Sequence, residues 1–322
     1  MVSAVIFVAT SCVSPLTGFA FWETNLAYEG ESIYNYLQVK NLSDRTILST
    51  NVLFGVQSVT MKDKGLTGMY YDTALAAPAL ADNANSALIL GMGTGTYARQ
   101  LKQYYPKMNI TGVEIDQKIT DLAGEYFDEP ADIPVTTYDG RAWLAASHDK
   151  YDVIMVDAYQ DITIPFQMSS TEFFTMVREH LNPGGVMVVN MNMISDGQGS
   201  INEALSDTIA SVFGNGNTLT ADVPNTTNRE LFAKKPGSGS EENSMQQASK
   251  ALNLRETTYE RTGSEDLEWY MEEVASRFRK VNEPDSASTI LTDDKAPVEV
   301  LGMRAIDQII ADEAGPYRQI LK

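Results

Sequence analysis

Short apolar segments alternate with helical segments from residue 87 onward, and this alternation restricts the fold more than any other feature of the sequence. The segments that we predict as strands cover residues 87–90, 110–115, 135–138, 151–156 and 186–191, and predicted helices include 97–105 and 171–181. Strands that are apolar throughout are typical of a parallel sheet whose two faces are both covered by helices. The sequence therefore predicts an α/β domain built on a parallel sheet over residues 81–235.

The segments on either side of this domain have different patterns. Residues 23–80 are predicted as a small β-rich subdomain, because 34–39 and 52–56 are rich in β-forming residues with polar turns between them. Residues 234–250 are rich in Gly, Ser and charged residues and are predicted as a flexible linker. The linker and a helical extension make up residues 236–322. Its helix over 264–280 begins with acidic residues and ends with basic ones, as the helix dipole favours.

The first 22 residues carry no charged side chain, and a segment of this length is long enough to cross a bilayer. No basic residue precedes the apolar run, which disfavours a cleaved signal peptide. We predict a membrane anchor over residues 1–22, or the last span of a longer membrane protein, with the catalytic domain on the cytoplasmic side. The alternative is a buried N-terminal segment of a cytoplasmic protein, which Pro15 and Gly18 favour.

Charge and composition exclude several classes of function. The formal net charge of −19 repels phosphate backbones, so nucleic acid is not expected as a partner. The same charge attracts small cations, although solubility alone is the simpler explanation for it. The chain has one cysteine and two histidines, which argues against a disulfide, a His-rich metal site and His-dependent nucleophilic catalysis. We expect no metal.

Polar and glycine residues follow four successive predicted strands. Gly91, Gly93 and Gly95 follow the first strand. Thr96 stands where a dinucleotide-binding fingerprint requires the third of its three glycines, and this favours a nucleoside over a dinucleotide as the ligand. Glu114 closes the second strand, where a carboxylate accepts hydrogen bonds from the ribose hydroxyls. The third and fourth strand ends carry Asp139-Gly140, a candidate for the adenine amino group, and Asp157-Ala158-Tyr159. Ligands of open parallel sheets bind at this edge, so we predict a nucleoside site there.

The ordered motifs from Glu31-Ser32-Ile33-Tyr34 through Tyr71-Asp72 and the glycine loop to Asp157 resemble the spermidine synthase (polyamine aminopropyltransferase) family. The ending Thr292-Asp293-Asp294-Lys295-Ala296-Pro297 is similar to a membrane-associated branch of that family. The resemblance implies a Rossmann-like S-adenosylmethionine-dependent transferase fold with an N-terminal β-rich subdomain. It implies decarboxylated S-adenosylmethionine as the aminopropyl donor, a small cationic amine such as putrescine as the acceptor, and leaves homo-oligomer formation open.

The resemblance also implies the roles of individual residues. Asp157 is the base that deprotonates the attacking amine. The donor nucleoside is bound by Asn35, Gly91, Gly93, Thr94, Gly95, Glu114, Asp139 and Gly140. The amine is bound by Tyr71, Asp72, Tyr159 and Asp161.

Three positions depart from the family pattern. Thr94 stands where the family has Asp, Asp72 where it has His or Gln, and Gln160 where it has a second pocket carboxylate. All three concern the donor tail or the amine, and none concerns the nucleoside. Two alternatives therefore stay open beside aminopropyl transfer: methyl transfer from intact S-adenosylmethionine to a small molecule, and a non-catalytic domain that senses nucleosides or polyamines.

Overall fold

The fold was analysed in a computed structural model, which describes residues 20, 23–51, 56–159, 164–192, 199–237, 244–286 and 288–305. Two sheets organise the described chain: a four-stranded antiparallel sheet near the N-terminus and an eight-stranded mixed sheet. The predicted strand over 52–56 falls mostly outside the described residues, as does Asp161.

The large sheet contains the five parallel strands that the sequence predicts. They are β5 (Ser86–Leu90), β6 (Asn109–Glu114), β7 (Val135–Thr137), β8 (Tyr151–Val156) and β9 (Leu181–Met191), in the spatial order β9-β8-β5-β6-β7. All six residues of β8 are buried, as expected for a central strand covered on both faces. The chain therefore reverses its direction of strand addition between β5 and β8, which creates the crevice where such sheets bind ligands.

Helices cover both faces of this sheet. They are α1 (Tyr70–Ala74), α2 (Ala76–Leu80), α3 (Thr96–Tyr104), α4 (Gln117–Tyr126), α5 (Gly140–Ala146), α6 (Thr171–His180), α7 (Ile201–Phe213), α8 (Ser244–Ala248), α9 (Ala251–Thr262) and α10 (Glu265–Arg277). One apolar cluster buries α1, α2 and α3 with α9 and α10, and a second buries α5, α6 and α7 on the opposite face. The α/β prediction is thus confirmed.

The N-terminal sheet is a meander of β1 (Leu26–Glu31), β2 (Tyr36–Asn41), β3 (Arg45–Thr50) and β4 (Ser58–Met61). Leu37, Val39 and Leu48 of this sheet form a third apolar cluster with residues of α4 and with Phe127. This packing holds the small sheet against the edge of the large one where β6 ends.

Three antiparallel strands extend the large sheet beyond β9: β11 (Arg229–Lys234), β10 (Thr218–Asp222) and β12 (Phe278–Lys280). They correct two expectations. The predicted linker over 234–250 begins within β11 and contains α8, and the predicted helix over 264–280 ends at Arg277, after which the chain enters β12. The helix ends where β12 pairs with the distant β10, and the first residue of the predicted linker, Lys234, is in the sheet because it pairs with Val186 of β9.

The predicted membrane anchor over residues 1–22 lies outside the described residues except for Ala20. Within the part of the chain that the structure describes, every helix is too short or too polar to cross a bilayer.

Candidate active site

A cavity of about 320 Å³ opens at the carboxyl ends of β5, β6 and β8, beside the reversal point of the sheet. Its polar lining includes three carboxylates and, among the described residues, no Lys, Arg or His side chain. The lining residues are Tyr34, Asn35, Leu48, Thr50, Gln57, Ser58, Tyr70, Tyr71, Gly91, Met92, Gly93, Val113, Glu114, Ile115, Ile119, Tyr138, Asp139, Gly140, Asp157, Ala158, Tyr159, Pro165, Gln167 and Met168. The cavity wall is thus suited to a cation.

The glycine loop is held close to the neighbouring strand end. Gly91 has φ 86°, and a Cβ atom added there would lie 2.4 Å from the carbonyl oxygen of Asp157. Gly93 has φ 55°, and its N–H donates a hydrogen bond of 2.8 Å to Glu114 Oε2. Glycine is therefore required at position 91 by the backbone approach, which also places the loop beside Asp157.

Glu114 ends β6 and is buried. Its two carboxylate oxygens accept hydrogen bonds from the backbone N–H groups of Gly93 (2.8 Å) and Asp116 (3.0 Å), which fix its orientation at the cavity wall. Burial raises the pKa of Glu114, and the two backbone donors oppose that rise. A carboxylate has about four acceptor positions, so this group retains capacity for a diol.

Asp139 lies at the next strand end and is half-buried in the cavity wall. Its Oδ1 accepts a hydrogen bond of 2.8 Å from the Ala142 N–H and so caps helix α5. Gly140 follows at the helix start and lines the same cavity. The capping role fixes the carboxylate while leaving its second oxygen for a ligand.

Asp157 follows β8 and lies between two side-chain donors. Tyr70 Oη donates to Asp157 Oδ2 at 2.6 Å, and Asn190 Nδ2 donates to Asp157 Oδ1 at 2.9 Å. Burial raises the pKa of Asp157 to about 7, and the two donors act against that rise. A carboxylate with this pKa can accept a proton near neutral pH, as a general base requires.

The sequence analysis missed both of these donors. Tyr70 belongs to α1, and its ring packs against that of Tyr71 with centroids 4.0 Å apart. Asn190 is the one polar residue in the apolar run over 186–191 of β9, and this interruption of the strand pattern is the signal that could have revealed it. Tyr159 also contacts Asn190, since its hydroxyl donates a hydrogen bond to the Asn190 carbonyl oxygen.

The structure brings most of the predicted residues together. Gly91, Gly93, Glu114, Asp139, Gly140, Asp157, Tyr71 and Tyr159 all line the cavity. Asn35 also lines the cavity; its Nδ2 donates to Asp116 Oδ2 at 3.1 Å, and its Oδ1 accepts from Asn51.

Three predicted residues lie elsewhere, and Asp72 is the main correction. It is 1% exposed, and its carboxylate accepts hydrogen bonds from the Thr67 hydroxyl, the backbone N–H groups of Thr67 and Gly68, and Gln100 Nε2. These contacts make it a structural residue that fixes the turn before α1, outside the cavity lining.

Thr94 and Gly95 are also absent from the cavity lining. Thr94 is fully buried, and its hydroxyl has no hydrogen-bond partner among the described residues. Gly95 has φ 79° and forms the N-cap of α3. Both residues therefore belong to the glycine loop without facing the cavity. The described residues contain no cluster of three or more His, Cys, Asp or Glu side chains arranged to hold a metal.

The doubly wound sheet, with its glycine loop and its carboxylates at successive strand ends, places the chain in the Rossmann-like fold class of S-adenosylmethionine-dependent transferases. Comparisons with known proteins are specific. The family model for the spermine/spermidine synthase domain matches residues 69–235. A probable polyamine aminopropyl transferase of Bifidobacterium longum is 99% identical over 322 residues, all of this chain and 72% of that protein.

More distant relatives agree. A polyamine aminopropyltransferase of Vibrio vulnificus is 28% identical over 62% of this chain and 69% of its own length. The crystal structure of a probable spermidine synthase from Corynebacterium glutamicum superposes with a TM-score of 0.57 at 21% identity, covering 83% of this chain and 99% of that one, and so shares the fold. The chain therefore belongs to the spermine/spermidine synthase family and is an enzyme, a polyamine aminopropyltransferase.

Proposed function

We propose that this chain transfers an aminopropyl group from decarboxylated S-adenosylmethionine to a small primary amine such as putrescine, in the cavity at the carboxyl edge of the sheet. The observation that carries the proposal is Asp157, a carboxylate oriented by Tyr70 and Asn190 in a cavity with acidic and no basic lining among the described residues. The comparisons do not favour the methyltransferase and sensor alternatives.

The described residues fit a nucleoside with a sulfonium tail. Glu114 and Asp139 both line the cavity, and in this proposal Glu114 accepts hydrogen bonds from the ribose hydroxyls and Asp139 from the adenine amino group. The close approach of Gly91 to the Asp157 backbone leaves the loop without a side chain between the nucleoside position and the base. The donor supplies an electrophilic carbon attached to a positively charged sulfur, which leaves as a neutral thioether.

The remaining chemistry belongs to the amine and Asp157. The amine nitrogen forms a bond to the propyl carbon as the carbon–sulfur bond breaks, and the electron pair of the broken bond goes to sulfur. The attacking nitrogen must be neutral, and Asp157 accepts the proton that it loses. Holding both reactants in one cavity supplies much of the rate acceleration, because the reaction then needs no bimolecular encounter.

The test is a transfer assay with two donors. Purified protein is incubated with putrescine and either decarboxylated or intact S-adenosylmethionine, and the amine is analysed by mass spectrometry. We expect a product carrying one added aminopropyl group with the first donor and no methylated product with the second. The Asp157→Asn variant, which keeps the shape of the base, is expected to lose about 10²–10⁴-fold in turnover. Methylated amine, or turnover of that variant at the wild-type rate, contradicts the proposal.

A further inference from the structure

The side-chain amide of Asn190 faces Asp157 with its nitrogen and not with its oxygen. Its Nδ2 donates to Asp157 Oδ1 at 2.9 Å. An amide has nearly the same shape after a half-turn about its last bond, but that half-turn would place the acceptor Oδ1 against the carboxylate. Because Asn190 is 3% exposed, hydrogen-bond partners within the protein decide which of the two orientations is adopted.

Asn228, the residue before β11, provides the partner that decides this orientation. Its Nδ2 donates to Asn190 Oδ1 at 2.8 Å and to Asn192 Oδ1 at 3.4 Å. A side-chain NH₂ group donates hydrogen bonds and accepts none, so both contacts require the nitrogen of Asn228 to face the end of β9. Since the oxygen of Asn190 is engaged by this donor, its nitrogen is the atom left to bind Asp157.

The turn between β10 and β11 holds Asn228 in place. The Asn228 carbonyl oxygen accepts a hydrogen bond of 3.0 Å from the Val223 N–H, and the Asn228 N–H donates to Thr226 Oγ1 at 3.1 Å. Beside the turn, Arg229 Nε donates to Asp222 Oδ1 at 2.5 Å and so joins the two strands. The side chain of Asn228 therefore extends from a backbone that is fixed on both sides of the hairpin.

The titratable groups around Asp157 come from several elements. They are Tyr70 and Tyr71 of α1, Glu114 of β6, Tyr159 after β8 and Glu230 of β11. Burial raises the pKa of Glu230 well above its ordinary value and Asp157 adds to that rise, which favours the uncharged form of Glu230. Near the turn, Arg229 and Arg279 both pair with Asp222. The hydrogen bond from Asn190 is thus one of few contacts that favour ionised Asp157.

We propose that Asn228 is a positioning residue for the transfer reaction, because it fixes the Asn190 amide in the orientation that donates to the base. The inference rests on the proposed role of Asp157 as that base. Asn228 is absent from the cavity lining, so it acts through Asn190 rather than on either reactant. The donor that it secures stabilises the ionised carboxylate and leaves the remaining acceptor positions of Asp157 for the proton of the amine.

Two variants of Asn228 remove its donor in different ways. Asn228→Asp keeps the shape of the side chain but offers Asn190 only acceptors, which favours the half-turn that places Asn190 Oδ1 against Asp157. Loss of that donor and the added charge both raise the pKa of Asp157. Asn228→Ala removes the donor without adding a charge, so it is expected to act in the same direction but more weakly.

Asn217 provides a matched control at the other end of β10. It is buried, and its Nδ2 donates to the Phe213 carbonyl oxygen at 3.0 Å, away from the cavity. Asn217→Ala is expected to lower the melting temperature, because a buried hydrogen bond is lost, and to leave the pH dependence of turnover unchanged. If this variant shifts the pH dependence as Asn228→Ala does, the effect comes from general loss of packing and the inference is wrong.

The experiment measures the pH dependence of kcat/KM for the amine in a double-mutant cycle with Asn190→Ala. We expect Asn228→Asp to move the acid limb to higher pH, by about 1 pH unit more in the wild-type background than in the Asn190→Ala background. The second background retains the effect of the added charge alone. Asn228→Ala is expected to shift the limb only where Asn190 is present. Equal shifts in the two backgrounds, or no shift with either variant, overturn the inference.

A titration without turnover separates this inference from the proposed function. The side-chain carboxyl carbon of Asp157 is followed by NMR in protein labelled with isotopic aspartate, and its signal is assigned by its absence in Asp157→Asn. If the acid limb of kcat/KM does not follow this titration, the proposed base is wrong, and the NMR comparison alone decides the role of Asn228. A higher pKa of Asp157 in Asn228→Ala than in the wild type supports the inference, and an unchanged pKa overturns it.

Discussion

Asp157 acquires its proposed role from its surroundings rather than from its residue type. Burial raises its pKa, while hydrogen bonds from Tyr70 and Asn190 hold the pKa near 7. Only the ionised carboxylate accepts a proton, so the population of active base falls as the pH decreases through that value. The two donors therefore set both the orientation of the base and the pH at which it works.

The first prediction follows from this balance. The kcat/KM for the amine is expected to decrease below about pH 7 with a single ionisation. In Tyr70→Phe one donor that lowers the pKa is lost, so the acid limb of the profile should move to higher pH. The pH–rate profiles of the two proteins provide the measurement. An acid limb at the same pH in Tyr70→Phe contradicts the assignment of the base.

The second prediction concerns Glu114. Glu114→Gln preserves the side-chain shape but removes the charge that accepts hydrogen bonds from a diol, so methylthioadenosine should bind about 10–100-fold more weakly by calorimetry. Glu125→Gln changes an exposed residue of α4 and serves as the control. Wild-type affinity in Glu114→Gln shows that the nucleoside lies elsewhere.

At this scale the sequence predicts the strand-end residues and fails for residues placed by packing. The positions of Glu114, Asp139 and Asp157 could be predicted from the sequence because the carboxyl ends of parallel strands share one edge of the sheet. Asp72 was misassigned, since its contacts with Thr67 and Gln100 depend on how the turn before α1 packs on α3.

Among elements, the C-terminal segment has the clearest link to the cavity. Asp293 accepts two hydrogen bonds from the Arg141 guanidinium, at 2.7 and 2.6 Å, and one from the Ser170 hydroxyl. Arg141 belongs to α5 and also donates to the carbonyl oxygen of Gln167, a cavity residue. The segment around Asp293 thus fastens one wall of the cavity to the helix that Asp139 caps.

The third prediction tests this fastening. Asp293→Asn removes the charge that pairs with Arg141, so Gln167 should be held less firmly and the KM for the amine should rise, with a small loss of stability of about 0–1 kcal/mol because the pair is partly exposed. Glu268→Gln breaks a comparable pair with Arg255 on α9 and α10, away from the cavity. An equal change of KM in both variants shows that only general stability was affected.

Helices and strands could be predicted where the local hydrophobic pattern of the sequence determines them. Residues 87–90 of β5, 153–156 of β8 and 186–189 of β9 are continuous apolar runs. The antiparallel strands β10, β11 and β12 were missed because their identity depends on partners distant in sequence, such as Phe278 opposite Ala221. The same pairing ends α10 earlier than its sequence pattern indicates.

For the whole molecule, the net charge of −19 allowed two explanations, solubility or attraction of the cationic substrate. The acidic lining of the cavity favours attraction. The fourth prediction is that the KM for the amine rises between low and physiological ionic strength, since salt screens this field, while the affinity for uncharged methylthioadenosine stays nearly constant. Kinetics and calorimetry at several salt concentrations provide the measurement, and parallel changes for both ligands point to solubility alone.

The cavity is a property of both sheets. Thr50 and Ser58 of the N-terminal sheet, and Asn35 between β1 and β2, line it together with the strand ends of the large sheet. The sequence predicts these two units as neighbours along the chain. It does not predict that their interface forms the binding site, because that depends on the packing of Leu37 and Val39 against α4.

The close approach of Gly91 to the Asp157 carbonyl has a consequence for how this enzyme tolerates mutation. Any side chain at position 91 meets the backbone that carries the base, at 2.4 Å for its first carbon. Every missense change in that codon therefore displaces Asp157 without altering it. A saturation library at position 91, selected in cells whose growth depends on polyamine synthesis by this enzyme, should thus return glycine alone. At Gly124, where an added Cβ meets nothing within 4 Å, the same selection should accept many residues.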